Sequence, residues 1–238
     1  MGAPEGSELL AKIMRAPGSW GPHVVGEAER LRDERLVRRL ESFSDLVIGF
    51  SLALLSLTLA VPNHVVDLVR NPWWLIAYVW TFTVIASIWY THQRLFSSYF
   101  TVRPFTIFLN FVLLASLGLI VYFVQVFVHV QGEPDKVWAF LAYFFMQSIS
   151  FIVMGALYAH GVRARWAELD GELRYRGVRQ AVRMLTTGGT VLVGVAITAA
   201  RHPQSIDDAV TVGYISLAGV LGSRVVMRAL RSRIANAA

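Results

Sequence analysis

The chain has 238 residues, 55% of them hydrophobic and 16% charged, with a mean hydropathy of +0.51 and a formal net charge of +6. Soluble domains carry about 25% charged residues, so this composition excludes a disordered chain and argues against an ordinary cytosolic enzyme. Cysteine is absent, which excludes disulfides and thiol chemistry.

In chain order, residues 1–42 read as a polar segment punctuated by Pro4, Pro17, Gly18 and Pro22. They lack the short apolar core and cleavage site of a secretory signal. Residues 25–42 (VVGEAERLRDERLVRRLE) read as a charged helix running into the first span, with Glu34 and Arg38 one turn apart. Stretches without Asp, Glu, Lys or Arg then follow: 21 residues between Asp45 and Asp67, 23 between Arg70 and Arg94, 29 between Arg103 and Glu133, and 26 between Lys136 and Arg163. Two shorter runs complete the series, 17 residues between Arg183 and Arg201 and 15 between Asp208 and Arg224. A bilayer core about 30 Å thick takes roughly 20 apolar residues as helix.

The expected fold class is all-α, a polytopic membrane protein with six transmembrane helices near 44–62, 72–93, 104–129, 136–161, 182–200 and 208–226. A six-helix domain over 43–228 then lies between the segment 1–42 and a tail over 229–238. Pro62, Pro72, Pro104 and Pro203 stand at span ends, where a missing N–H is tolerated. Trp73, Trp74, Tyr122 and Trp138 fall near the expected interfaces. The segment 162–181 reads as helical extension, and the glycines of the last two spans (Gly188, Gly189, Gly194, Gly213, Gly219, Gly222) as close-packing positions.

The cations orient the chain. With six spans, 19 of the 22 basic residues share one side with both termini, leaving Arg70, Lys136 and Arg201 opposite. Positive charge is retained in the cytoplasm during insertion, so both termini are expected there, beside anionic headgroups. No basic motif interleaved with aromatics accompanies the charge, so nucleic acid is not expected as a partner.

Catalytic motifs are missing: there is no G-x-x-x-x-G-K-[ST], H-E-x-x-H or G-x-S-x-G. The histidines at 23, 64, 92, 129, 160 and 202 have no metal-ligand spacing. Neither an enzyme nor a metal or other cofactor is expected. A TVGYG-type carbonyl filter is absent too.

Ionisable groups inside a span are functional candidates, and here they reduce to Asp45 and His92, with Arg39 just before the first span. Asp45 reads either as an acid suited to a helix N-terminus or as a group tied by Ser44 and Arg39. Spans one and two are antiparallel, so Asp45 lies level with Trp89 and His92, as a structural clamp or a proton relay. On span one, Phe43, Val47, Phe50, Leu54 and Leu57 share a face beside a small polar row of Ser44, Ser51 and Thr58. That pairing reads as a pore with a dewetting constriction or as plain helix packing.

The run Arg39-x-x-x-Phe43-Ser44-Asp45 resembles the R-x-x-x-F-S-D signature of the transmembrane protein 175 family, potassium-permeable channels of lysosomes and prokaryotes. Trp89-x-x-His92-x-x-x-Phe96 is similar to its W-x-x-H-H-x-x-F motif, with Gln93 in place of the second His, and Asn110 matches a common asparagine. The resemblance implies a homotetramer for a single-repeat chain, with the first helix lining the pore. It makes Arg39, Phe43, Ser44, Asp45, Trp89 and His92 a helix-locking network. It places the constriction at Phe50, where the family usually has Ile, with Leu54 and Leu57 beyond. Positions where the family often has Ser or Thr are Gly49 and Ala53, which become pore-lining candidates without hydroxyls. The third span also reads LIVYFVQV where the family has a Pro.

The expected function is thus a homotetrameric cation channel, potassium-permeable with weak selectivity, in a prokaryotic plasma membrane among membrane lipids. The alternative is a non-conducting scaffold of the same fold, and behind it a secondary transporter, which would show inverted repeats and midplane charges.

Overall fold

The computed structural model describes residues 22–57, 73–209 and positions 211, 212, 214, 215, 219 and 222. The expected ends 1–21 and 229–238, the close of span one and most of span six lie outside the described residues. Five long helices make up the described fold: α1 (Pro22–Ser56), α2 (Trp73–Ser98), α3 (Pro104–His129), α4 (Glu133–Ala164) and α5 (Gly171–Ala200). Among the described residues there is no strand. Residues up to Leu40 and those from Glu41 onward form two units. In the first, Glu34 accepts from Arg30 Nε at 3.2 Å. The helical pair therefore closes one turn back from the Glu34–Arg38 spacing read in the sequence.

Four helices are long and apolar enough to cross a bilayer: α2 from Leu75, and α3, α4 and α5 over their whole lengths. The chain is accordingly a multi-pass membrane protein. Local chemistry sets the helix starts. Pro104 and Pro134 occupy first-turn positions of α3 and α4, where the missing N–H would have no intrahelical partner. Asp170 caps α5, its carboxylate accepting from the Leu173 N–H at 2.7 Å. Helix α4 ends at Ala164, and a tight turn over 165–169 leads into α5, so most of the 162–181 segment is helix.

The α4–α5 pair is packed backbone to backbone. A Cβ on Gly188 would stand 2.9 Å from both the Ser148 carbonyl oxygen and the Ile152 nitrogen, and one on Gly155 would stand 3.0 Å from the Leu185 nitrogen. Inside a bilayer the hydrophobic effect between helices is weak, so close approach of small residues supplies much of the association. The approach also lets Ser148 donate to the Gly188 carbonyl at 2.8 Å. Helix α2 joins this pair at its end. Tyr158 donates to the Thr91 carbonyl at 2.9 Å, Tyr99 to the Leu173 carbonyl at 2.9 Å, and Arg165 to the Ser98 carbonyl at 2.6 Å.

Candidate functional site

Two hydrogen-bonded groups join α1 to α2 and α3. In the first, Asp45 Oδ1 accepts from Trp89 Nε1 at 3.0 Å and from Gln93 Nε2. Trp89 and Gln93 are four residues apart and so project from one face of α2. In the second, Asn110 on α3 donates through Nδ2 to Ser44 Oγ at 3.0 Å, while its Oδ1 lies 2.9 Å from His92 Nε2. Oδ1 can only accept, so His92 carries its proton on Nε2 in this bond. Ser44, His92 and Asn110 are each fully buried. Phe43 closes the α1–α3 contact, its ring edge-on to Phe111 at 5.9 Å between centroids.

This arrangement divides what the sequence grouped together. Ser44 and Asp45 do not serve one cluster: the hydroxyl is turned to α3 and the carboxylate to α2. Adjacent helix positions differ by about 100° in direction, which sends them to different neighbours. Arg39 is exposed and falls in the N-terminal unit. Gln93 enters as a partner of Asp45 that sequence reasoning left out. Its signal was available, since it stands one turn after Trp89 and replaces the second His of the motif. Asn110, noted only as a match, proves to be the residue between Ser44 and His92.

The rest of α1 has two unlike sides. Ser44, Ile48, Ser51 and Leu55, spaced three or four apart, are buried, and Ser51 spends its hydroxyl on the Val47 carbonyl at 2.9 Å. The polar row of Ser44 and Ser51 therefore packs inside the protomer. On the other side Phe50, Leu54 and Leu57 are 62%, 50% and 77% exposed, and Gly49 and Ala53 are exposed beside them. No grouping of His, Asp and Glu able to hold a metal occurs among the described residues.

With that geometry in hand, residues 39–121 match the family model described as endosomal/lysosomal potassium channel TMEM175. Over these 83 of the chain's 238 residues the sequence resembles that family. The match takes in α1 from Arg39, all of α2 and most of α3, the helices joined by the two hydrogen-bonded groups. No curated protein sequence matches the chain. Among solved structures, a variant of the potassium channel MtTMEM175, crystallised with a nanobody–MBP fusion, is similar with a TM-score of 0.60 at 20% identity. The similarity covers 82% of this chain and 93% of that one, so the TMEM175 fold extends through α4 and α5, beyond the sequence match.

Proposed function

We propose that this chain is a TMEM175-family protein and one subunit of a homotetrameric cation channel, permeable to potassium with weak selectivity. Its pore is lined by α1 and narrowed by Phe50, Leu54 and Leu57. The observation that carries the reading is the two-sided burial of α1. Ile48 and Leu55 are 1% and 0% exposed against the protomer, whereas Phe50, Leu54 and Leu57 stand free of it. Four copies with that side turned to a common axis stack three apolar rings.

A constriction of this kind opposes ions by stripping water from the path, and it conducts when the rings part. Gly49 and Ala53, each one position before a ring residue, bring no hydroxyl, and the sequence has no TVGYG-type filter, so little distinguishes one monovalent cation from another. The Asp45–Trp89–Gln93 and Ser44–Asn110–His92 groups, with Phe43, hold α1 at a set rotation against α2 and α3. Arg39 ends the charged segment ahead of it. The assembly completes itself with six spans, the sixth near 208–226, and both termini in the cytoplasm of a prokaryotic cell.

The test is flux in liposomes containing the purified protein, potassium against sodium, wild type beside Phe50→Ala. Potassium flux raised at least about tenfold in the variant is expected, because removing a ring widens and wets the narrowest point. Unchanged flux through a correctly assembled variant overturns the constriction. The second reading, a non-conducting scaffold of the same fold, draws on the bulk of Phe50 and the missing hydroxyls. It predicts silence from both proteins.

A further inference from the structure

At the α4–α5 turn an apolar groove of about 370 Å³ opens between the two helices, lined by Val162 and Arg163 of α4, Trp166 of the turn, and Val178, Ala181 and Leu185 of α5, among others. We propose that this groove holds one acyl chain of an anionic phospholipid, with the lipid phosphate bound between Arg163 and Arg174. The inference rests on the membrane placement of α4 and α5 and is independent of whether the protein conducts.

Charge complementarity selects the occupant. Three carboxylates lie along this segment, and each is committed elsewhere. Glu168 pairs with Arg165 at 3.0 Å, Glu172 pairs with Arg176 at 2.6 Å, and Asp170 caps α5. Arg163 and Arg174 have no ion pair among the described residues. Arg174 instead lies over the Trp166 ring, 5.1 Å from its centroid, and its buried Nε has no hydrogen-bond acceptor among the described residues. A guanidinium stacked on an indole keeps its outer N–H groups free for a planar anion such as phosphate.

The helix geometry aligns the two parts of the site. Arg174, Val178, Ala181 and Leu185 recur at helical spacing and share one face of α5, so the cation stands at one end of the apolar strip. An amphiphile with an anionic head and an apolar tail matches that order. A soluble anion would leave the strip uncovered, and a zwitterionic lipid would bring a second positive charge against the arginines. Arg179 lies about a third of a turn and Arg183 nearly half a turn round the helix from the strip, and neither lines the groove.

The full chain, purified in detergent, is equilibrated with mixed micelles of phosphatidylglycerol and phosphatidylcholine, and bound lipids are counted by native mass spectrometry. One arginine near a membrane surface contributes about a fivefold preference for an anionic lipid, so two predict roughly thirtyfold for the wild type. R163Q/R174Q is expected to equalise the two lipids while still binding both. Leu185→Trp, which fills the strip from its exposed end, lowers binding of both. R179Q/R183Q keeps the preference. The proposal fails if the wild type does not discriminate, if R163Q/R174Q still discriminates, or if R179Q/R183Q is the variant that stops discriminating. The glutamine variants change exposed or half-exposed charges and leave the packed α4–α5 contact intact, so the comparison stands even if Leu185→Trp does not fold.

Discussion

Replacing Asn110 by Ala tests the join between α1, α2 and α3 most directly. The amide makes two contacts, to Ser44 at 3.0 Å and to His92 at 2.9 Å, at a position with no solvent exposure. Interhelical hydrogen bonds in membrane proteins average about 0.6 kcal/mol, so two are worth roughly 1.2 kcal/mol. The larger cost falls on His92. Its Nδ1 already has no partner among the described residues, so the variant leaves the ring without any. A stranded buried polar group adds about 1–3 kcal/mol. The sum is a loss of about 2–4 kcal/mol, measured by reversible unfolding in mixed micelles with helix content followed by circular dichroism. Asn110→Asp, which keeps an acceptor for His92 but loses the donor to Ser44, is expected to lose less. A double-mutant cycle of Ser44→Ala with Asn110→Ala isolates the bond to Ser44, with a coupling of about 0.6 kcal/mol. If Asn110→Ala unfolds within about 0.5 kcal/mol of the wild type, the chain of reasoning from buried contacts to stability is refuted.

Gln93→Leu removes one of the two donors to Asp45 and is expected to cost about 1 kcal/mol. Gln93→Glu should cost more, because it sets a second carboxylate against the first; equal stability of Glu and Gln at 93 would contradict the observed bond. Among the glycines, Gly161→Ala and Gly188→Ala are expected to destabilise by about 1–3 kcal/mol, since each new methyl meets backbone that cannot give. Gly118→Ala has nothing within 4 Å of the added methyl and is expected to be neutral or to stabilise by up to about 1 kcal/mol. The contrast is read from the same unfolding curves, and similar values at all three positions would remove the packing argument. Gel filtration of Gly118→Ala and Asn110→Ala alongside the wild type checks that neither change acts through assembly.

Composition and charge spacing determined a good deal by themselves. Long uncharged runs can be stable in lipid only as helices, because the bilayer offers backbone groups no other partners, and α2 to α5 occupy the second to fifth of those runs. The motif around Phe43–Asp45 and Trp89–His92 was legible for the same kind of reason: polar side chains in a span are expensive, so few are present, and those few stand out. What the sequence could not determine is which polar group meets which. That depends on helix rotation, which differs by about 100° between neighbours such as Ser44 and Asp45 and is set by packing rather than by hydropathy. Tertiary structure alone therefore sent Ser44 to Asn110, brought Gln93 to Asp45 and turned Ser51 inward. It also brought Arg163 to a groove between α4 and α5 and set Arg174 over Trp166 of the same groove, because the turn after Ala164 folds α5 back along α4.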